Sequence, residues 1–457
     1  MARQLAVVLY NHRIGTLTQT DTGRHDFEYS DQPGRTPLSM AMPLTTKRHP
    51  HKTVEPFLDG LLTDNPLVRQ QIGRAFNVSG NNPFALLEHI GMDCAGAVQF
   101  CPPAGVDAAM AEAGRVRPVS TQDVATRLRR LREDADTSWV TDFEEWSLAG
   151  AQPKIAPRET PDGWAEVSGG EPTTHILKPG IPRLAASALN EHICLQAATR
   201  LGLPAASTRF TMFDGEPAIV VQRYDRMTID GRVLRIHQED MCQALAVYPA
   251  SKYESDGGPT ASAIIRLPHD NAQPDDPLRF IDYLGVNYLL GAPDCHAKNF
   301  SLLEHDSTVE LAPLYDVASV LPYDAQFPGR KPVFAFKIGG ENRFGHVNMA
   351  HWAALAAAAG LDADQVTDRI RCVADRLPDA VRDAAAGVGG GGELGSRLLP
   401  QVQVLCDSAK SGWFKDVWGA TPVGSHAGVP VRRKTTAAST SGSYAPRQHP
   451  KAPEIPL

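Results

Sequence analysis

The chain has 457 residues, with 45 Lys+Arg against 52 Asp+Glu and a formal net charge of -7. Hydrophobic residues make up 42% and charged residues 21%, an ordinary globular mixture that excludes a wholly disordered chain. No run of about 18 apolar residues occurs, so no membrane-spanning helix is expected. The opening MARQLAVVLYNHRIG lacks the apolar length and the small-residue cleavage site of a secretory signal. At about 100–200 residues per domain, this length implies more than one domain. The 7 cysteines form no C-x-x-C pair, so neither a disulfide framework nor a zinc ribbon is expected, and a reducing cytoplasm fits.

Along the chain, Leu5–Tyr10 reads as a short β-rich run, followed by a turn candidate at Asn11-His12-Arg13. IGTLTQ and FEYS read as further strands able to pair. Apolar spacing predicts helices over Val54–Leu62 and Pro83–Gly91. Residues 102–120, rich in Pro, Ala and Gly, read as a connection, and Thr121–Asp134 as an exposed amphipathic helix. Strands resume at Thr174–Lys178 and Ala218–Tyr224. Between them Asn190–Leu203 is a helix by the spacing of Ile193, Ala197 and Leu201, which together predict an α+β lobe. From Leu278 helical patterns dominate (LRFIDYLGVNYLLG, AHWAALAAAAG, DQVTDRIRCVADRL), predicting a mainly helical second lobe. The glycine run Gly387–Gly392 reads as a flexible linker. Beyond about residue 420 the chain is poor in large apolar groups and is expected to be disordered. That tail carries Arg432, Arg433, Lys434, Arg447 and Lys451 against Glu454, 5 - 1 = +4, which leaves -7 - 4 = -11 for the rest.

The residues best suited to chemistry lie at Asp294-Cys295-His296-Ala297-Lys298-Asn299, directly after an apolar helix. An Asp followed five positions later by an Asn has the spacing of a protein-kinase catalytic loop, where the Asp accepts the substrate hydroxyl proton and the Asn holds magnesium. Alone, the pattern reads first as a polar turn after a buried helix, because short motifs match by chance. Asp316, in LAPLYDVAS, has the setting of a second magnesium ligand, although alone it would be a turn-capping carboxylate. Lys178 ends an apolar strand and could reach nucleotide phosphates. Glu191, thirteen residues on, could hold it by an ion pair. Their plain alternatives are an edge-strand lysine and a first-turn acid. Ser147 to Lys154 is a run of small residues whose backbone amides could approach phosphate oxygens, or simply a turn. What raises these above their plain alternatives is their order along the chain, which is that of a protein kinase. Gln222, Arg223 and Tyr224 end the apolar strand where a kinase joins its lobes and meets adenine.

Taken together, SLAGAQPK, HILKPG, NEHICLQAATRLGL, VVQRYDR, QEDMCQALAVYPASKYESDGGP, GAPDCHAKNFSLL and LYDVAS resemble the HipA family of bacterial serine/threonine kinases, the toxins of HipA–HipB toxin–antitoxin modules. The N-terminal GTLTQTDTGRHDFEYS, LSMAMPL, VEPFLDGLL and IGMDCAGAVQF match as well. The resemblance implies a kinase-like, two-lobed α+β fold with an N-terminal α/β subdomain. Its parts would be an N-terminal subdomain (1–105), a connecting segment (106–139), a small lobe with phosphate loop and hinge (140–255), a helical large lobe with the catalytic loop (256–415) and a basic tail (416–457). It further implies Asp294 as catalytic base, Asn299 and Asp316 as Mg²⁺ ligands, and Ser147 as a site of autophosphorylation. ATP would be held by Ala149, Gly150, Ala151, Gln152, Pro153, Lys154, Lys178, Gln222, Arg223, Tyr224, Asp294, Cys295, His296, Tyr315 and Asp316.

The implied partners are a HipB-like helix-turn-helix antitoxin, operator DNA reached mainly through that complex, and a protein substrate, with an aminoacyl-tRNA synthetase, specifically the glutamyl enzyme, as the family's best-known target class. No membrane partner is implied. Two other functions fit the same residues: a corepressor of the antitoxin with little catalysis, and a small-molecule phosphotransferase of kinase-like fold.

Overall fold

In the computed structural model, which describes residues 2–271, 273–306, 308–326 and 331–411, the chain begins with a hairpin. Strands β1 (Arg3–Leu9) and β2 (His12–Gln19) are joined through Tyr10 and Asn11, both at positive φ (50° and 58°), as a tight two-residue hairpin turn requires. Strand β3 (His25–Tyr29) pairs with β2, setting Phe27 opposite Leu17. The two-residue β4 (Arg48–His49) lies beside β3. Helices α1 (His51–Gly60), α2 (Pro66–Ala75) and α3 (Pro83–Ile90) follow. Both α2 and α3 start on an Asn-Pro pair: the Asn side chain accepts an orphan amide, and the Pro supplies a preset φ at the first helical position. Strand β5 (Asp93–Cys94) precedes β6 (Gln99–Cys101), which closes the sheet in the order β4-β3-β2-β1-β6.

Next come α4 (Val106–Met110), β7 (Gly114–Val119), α5 (Thr121–Glu133) and β8 (Trp146–Ser147), the last pairing in parallel with β5. The segment expected to be a mere connection is therefore structured. Strand β7 is the edge of a sheet ordered β7-β10-β9, formed with β9 (Arg158–Thr160) and β10 (Gly163–Gly169). Its Pro118 disguised it in the sequence, since proline within a sheet is tolerated at an edge. Helix α5 is amphipathic as expected but not freely exposed: Val124, Ala125, Leu128 and Leu131 are buried. It packs on a third sheet, ordered β11-β13-β12, of β11 (His175–Pro179), β12 (Thr208–Phe213) and β13 (Glu216–Gln222), with α6 (Ser187–Arg200) also packed on β12 and β13. The N-terminal sheet and this small lobe share one core, in which Leu5, Phe27, Phe57 and Leu86 are continuous with Leu177, Ala218 and Val220.

The large lobe begins with a hairpin of β14 (Arg226–Ile229) and β15 (Arg232–Arg235), then β16 (His237–Asp240), α7 (Met241–Ala244), α8 (Ala261–Asn271) and α9 (Asp276–Leu289). Strands β17 (Ser301–His305) and β18 (Thr308–Leu311) add to β16, and β19 (Val333–Ile338) pairs with β20 (Glu341–Arg343). Helices α10 (Met349–Ala359), α11 (Ala363–Ala386) and α12 (Gly391–Ser411) end the described chain. Helix α9 is buried on nearly every face, from Phe280 and Tyr283 to Tyr288 and Leu289, and its buried Asp282 and Asn287 are satisfied by Arg369 and the Tyr283 carbonyl oxygen. The mainly helical reading of this lobe missed its three small sheets, although β19 alternates buried and more accessible residues as a half-buried strand does.

The glycine run is not a flexible linker. It is a tight connection between α11 and α12. A Cβ on Gly391 would stand 2.2 Å from the Ala385 carbonyl oxygen, and one on Gly395 would stand 2.7 Å from the Ala385 Cβ. The glycines permit two helices to approach. The expected disordered tail lies outside the described residues. Among those residues, no helix is long and apolar enough to cross a membrane, and all 7 cysteines are free.

Candidate active site

A cleft of about 520 Å³ opens where the N-terminal module, the small lobe and the large lobe meet. Strand β11 carries Lys178 into it, paired across the sheet with Ile219, and α6 brings Glu191 from one turn inside its start. The Lys178 Nζ donates to Glu191 Oε1 at 2.9 Å and to Asp316 Oδ1 at 2.5 Å. Burial alone would discharge this lysine, but the two carboxylates overrule it and hold its pKa above the ordinary value. Asp316 sits at φ 57°, in the left-handed region, a strained conformation for a residue with a Cβ.

The phosphate-loop candidates Ala149, Gly150, Ala151, Gln152, Pro153 and Lys154 all line the cleft. Gly150 takes φ 99°, which only glycine adopts without strain. The Lys154 Nζ donates to the Ala149 carbonyl oxygen at 2.6 Å and lies over the Trp139 ring. Burial, helped by the nearby Lys178 charge, pushes the Lys154 pKa down to about 7. Ser147 is not in the cleft. It is buried in β8, where its Oγ donates to the Leu61 carbonyl oxygen at 2.9 Å.

The base loop leaves α9 through Gly291, at φ 65°, where a Cβ would strike Leu321. It is pinned internally: Asn299 Nδ2 donates to the Asp294 carbonyl oxygen at 2.6 Å, and His296 N donates to the same oxygen at 3.0 Å. Burial raises the Asp294 pKa to about 6, while Lys252 and the Tyr253 hydroxyl, which donates to Oδ1, restrain the rise. His296 lies edge-on to Tyr253, with its Nε2 3.8 Å from Asp294 Oδ1. Burial pushes its pKa down to about 3, so it is neutral and unsuited to donate as an acid. Asn299 and Asp316 both line the cleft. An amide oxygen and a carboxylate are a donor set that suits Mg²⁺ completed by water and phosphate oxygens.

Gln222, Arg223 and Tyr224 also line the cleft, and Tyr224 packs at a tilt on Tyr315, ring centroids 5.6 Å apart. The Arg223 guanidinium is committed to Asp225, Thr173 and the Cys94 carbonyl oxygen, and its backbone N donates to the Thr174 carbonyl oxygen at 3.0 Å. Cys295, although inside the base loop, is buried away from the cleft lining, and its thiol pKa is driven well up by burial and by Asp294.

The sequence reading did not single out Asp64, Lys252, Tyr253 or Lys298, all of which line the cleft. The Asp64 carboxylate binds Lys298 Nζ at 2.6 Å and Lys252 Nζ at 3.0 Å. Burial would raise the Asp64 pKa, but these two cations overrule it and hold it well below the ordinary carboxylate value. Lys252, Tyr253 and Lys298 lie within the motifs that carry the family resemblance. Asp64 lies 230 residues before Asp294, and nothing local marks it.

The chain is similar to known proteins over most of its length. A family model described as the HipA N-terminal domain matches residues 5–101, and one described as the HipA-like C-terminal domain matches residues 146–381. Y4mE of Sinorhizobium fredii, which is named for a kinase, is 35% identical over 382 residues, covering 80% of this chain and 88% of the relative. The serine/threonine-protein kinase toxin HipA of Shewanella oneidensis is 29% identical over 367 residues, covering 76% and 80%. A solved complex of Shewanella oneidensis HipA, HipB and operator DNA is similar with a TM-score of 0.76 at 26% identity, covering 88% of this chain and 96% of that one.

Proposed function

The chain belongs to the HipA family of kinases, and from that membership we propose that it is an ATP- and Mg²⁺-dependent serine/threonine-protein kinase acting as the toxin of a toxin–antitoxin module. The observation that carries this reading is the joining of Lys178 to both Glu191 and Asp316, in one cleft with Asp294 and Asn299. A magnesium ion, held by Asn299 and Asp316, would neutralise phosphate charge. Lys178, kept cationic, binds phosphate oxygens. Asp294 orients the acceptor hydroxyl and takes its proton. With little covalent work for the protein, positioning and electrostatics supply the rate.

Ser147 is the candidate for autophosphorylation. Its hydroxyl is buried against Leu61, so a phosphate can be added or housed only when this segment leaves its place, which would carry the adjoining phosphate loop away from the nucleotide. The acceptor is proposed to be a host protein, an aminoacyl-tRNA synthetase such as the glutamyl enzyme being the class the family resemblance points to, with arrest of translation as the outcome in the cytoplasm. Similarity to a HipA–HipB–operator DNA complex supports a HipB-like antitoxin as partner, with DNA reached through it. A corepressor role is compatible with the same partner.

The test is [γ-³²P]ATP labelling of a host lysate followed by identification of the labelled band. Labelling of a translation protein supports the reading. Labelling of an aminoglycoside or sugar instead of any protein would replace it with a small-molecule phosphotransferase.

A further inference from the structure

We propose that Asp64 is a positioning residue, supplied by the N-terminal module, that holds the base loop and the phosphate loop in register across the cleft. The inference rests on the kinase reading above for its catalytic consequence, but its geometry stands independently.

Asp64 lies between α1 and α2, on a segment fixed from behind. Asn65 caps α2, the Arg69 Nε donates to the Thr63 carbonyl oxygen at 2.5 Å, and Arg69 also pairs with Asp59. From this anchored base the segment makes two contacts to the phosphate loop. Asp64 N and Thr63 Oγ1 both donate to the Gly150 carbonyl oxygen, at 2.9 and 3.0 Å. Its carboxylate then reaches the other wall, one oxygen to Lys298 and the other to Lys252.

Both lysines are tied to the base. Lys298 directly precedes Asn299, and its carbonyl oxygen accepts from the Tyr315 hydroxyl at 2.8 Å. Lys252 directly precedes Tyr253, which donates to Asp294, and its carbonyl oxygen accepts from Ala297 N at 3.2 Å. One carboxylate therefore joins three segments that are distant in sequence. Without it the buried Lys298 and the half-buried Lys252 lose their shared counter-charge, and each is left to repel the other and to lean on a different acid, Lys298 on Asp240 and Lys252 on Asp294. The two kinase lobes alone lack this group, which gives the N-terminal module a role inside the active site.

The test uses the full-length chain with Asp64→Asn and Asp64→Glu, and Ser39→Ala as control, because Ser39, itself outside the cleft lining, bonds Glu239 across the same module boundary. Asp64→Asn is expected to lower kcat for phosphate transfer by about 100-fold, the effect of a displacement near 1 Å, while KM for ATP changes much less. Asp64→Glu should recover part of kcat, and Ser39→Ala should leave it near wild type. Hydrogen exchange should rise in residues 149–154 and 294–299 of Asp64→Asn while strands β1 and β2 stay protected. Wild-type kcat in Asp64→Asn, or equal losses in Asp64→Asn and Ser39→Ala, would overturn the proposal. If the wild-type chain transfers no phosphate at all, the kinase reading fails, and the exchange result alone decides the clamp: unchanged protection of both loops overturns it.

Discussion

At Lys154 burial sets the chemistry. Pushed down to about 7, this ammonium is largely discharged above that pH in the empty cleft, and an incoming phosphate restores its charge. Nucleotide binding should therefore take up a proton above pH 7, and affinity for ATP should fall by up to about tenfold per pH unit between pH 7 and 9. Isothermal titration across that range measures it, and Lys154→Met should remove the dependence. The same group acts on stability with a definite sign. Its folded pKa lies below the unfolded value of 10.5, so the unfolded chain binds more protons between them, and this residue's contribution to stability rises with pH over that window. At Lys178 the balance runs the other way, because two carboxylates hold the charge on. Lys178→Met should reduce phosphate transfer by about 10²–10³-fold while the chain remains folded, as read by activity together with circular dichroism.

Among the elements, what was legible in the sequence depended on length and burial. Strands β1 to β3 and helices α1, α3, α6, α9, α10 and α11 carried enough periodic apolar residues to be placed. The two-residue strands β5 and β8 cannot establish a period, and strands β16 to β20 are masked by the helical patterns around them, although β19 alternates buried and more accessible residues. The glycine run failed for a different reason: glycine marks both a flexible linker and a close approach, and only the neighbouring Ala385 distinguishes them. The candidate site was legible where its residues fell in order along one motif, as from Asp294 to Asn299. It was illegible where a contact spanned modules, as at Asp64, or where side-chain direction decided the matter, as at Cys295, which lies outside the cleft lining. Gly391→Val, which drives a side chain against the Ala385 carbonyl, should destabilise the α11–α12 pair and lower the melting temperature.

At the scale of the molecule, the N-terminal module is built into the kinase-like fold rather than attached to it. Besides the shared core, Asp93 of β5 lies among Arg223, Arg226 and Arg235 of the segment that leads into the large lobe, all four side chains nearly inaccessible. Removing the acid leaves buried guanidinium charge with too little compensation. Asp93→Ala should cost about 3–5 kcal/mol in denaturant unfolding. The tail from Thr421, at +4, contrasts with -11 for the rest. Truncation after Ala420 should leave ATP turnover at the full-length level.

The account stands most directly on phosphate transfer by the purified chain. With [γ-³²P]ATP, Mg²⁺ and a protein acceptor, the wild-type chain should transfer label to serine or threonine, and a folded Asp294→Asn variant should transfer none above background. Transfer by that variant at the wild-type rate would contradict the assignment of the base and, with it, the kinase reading of the cleft.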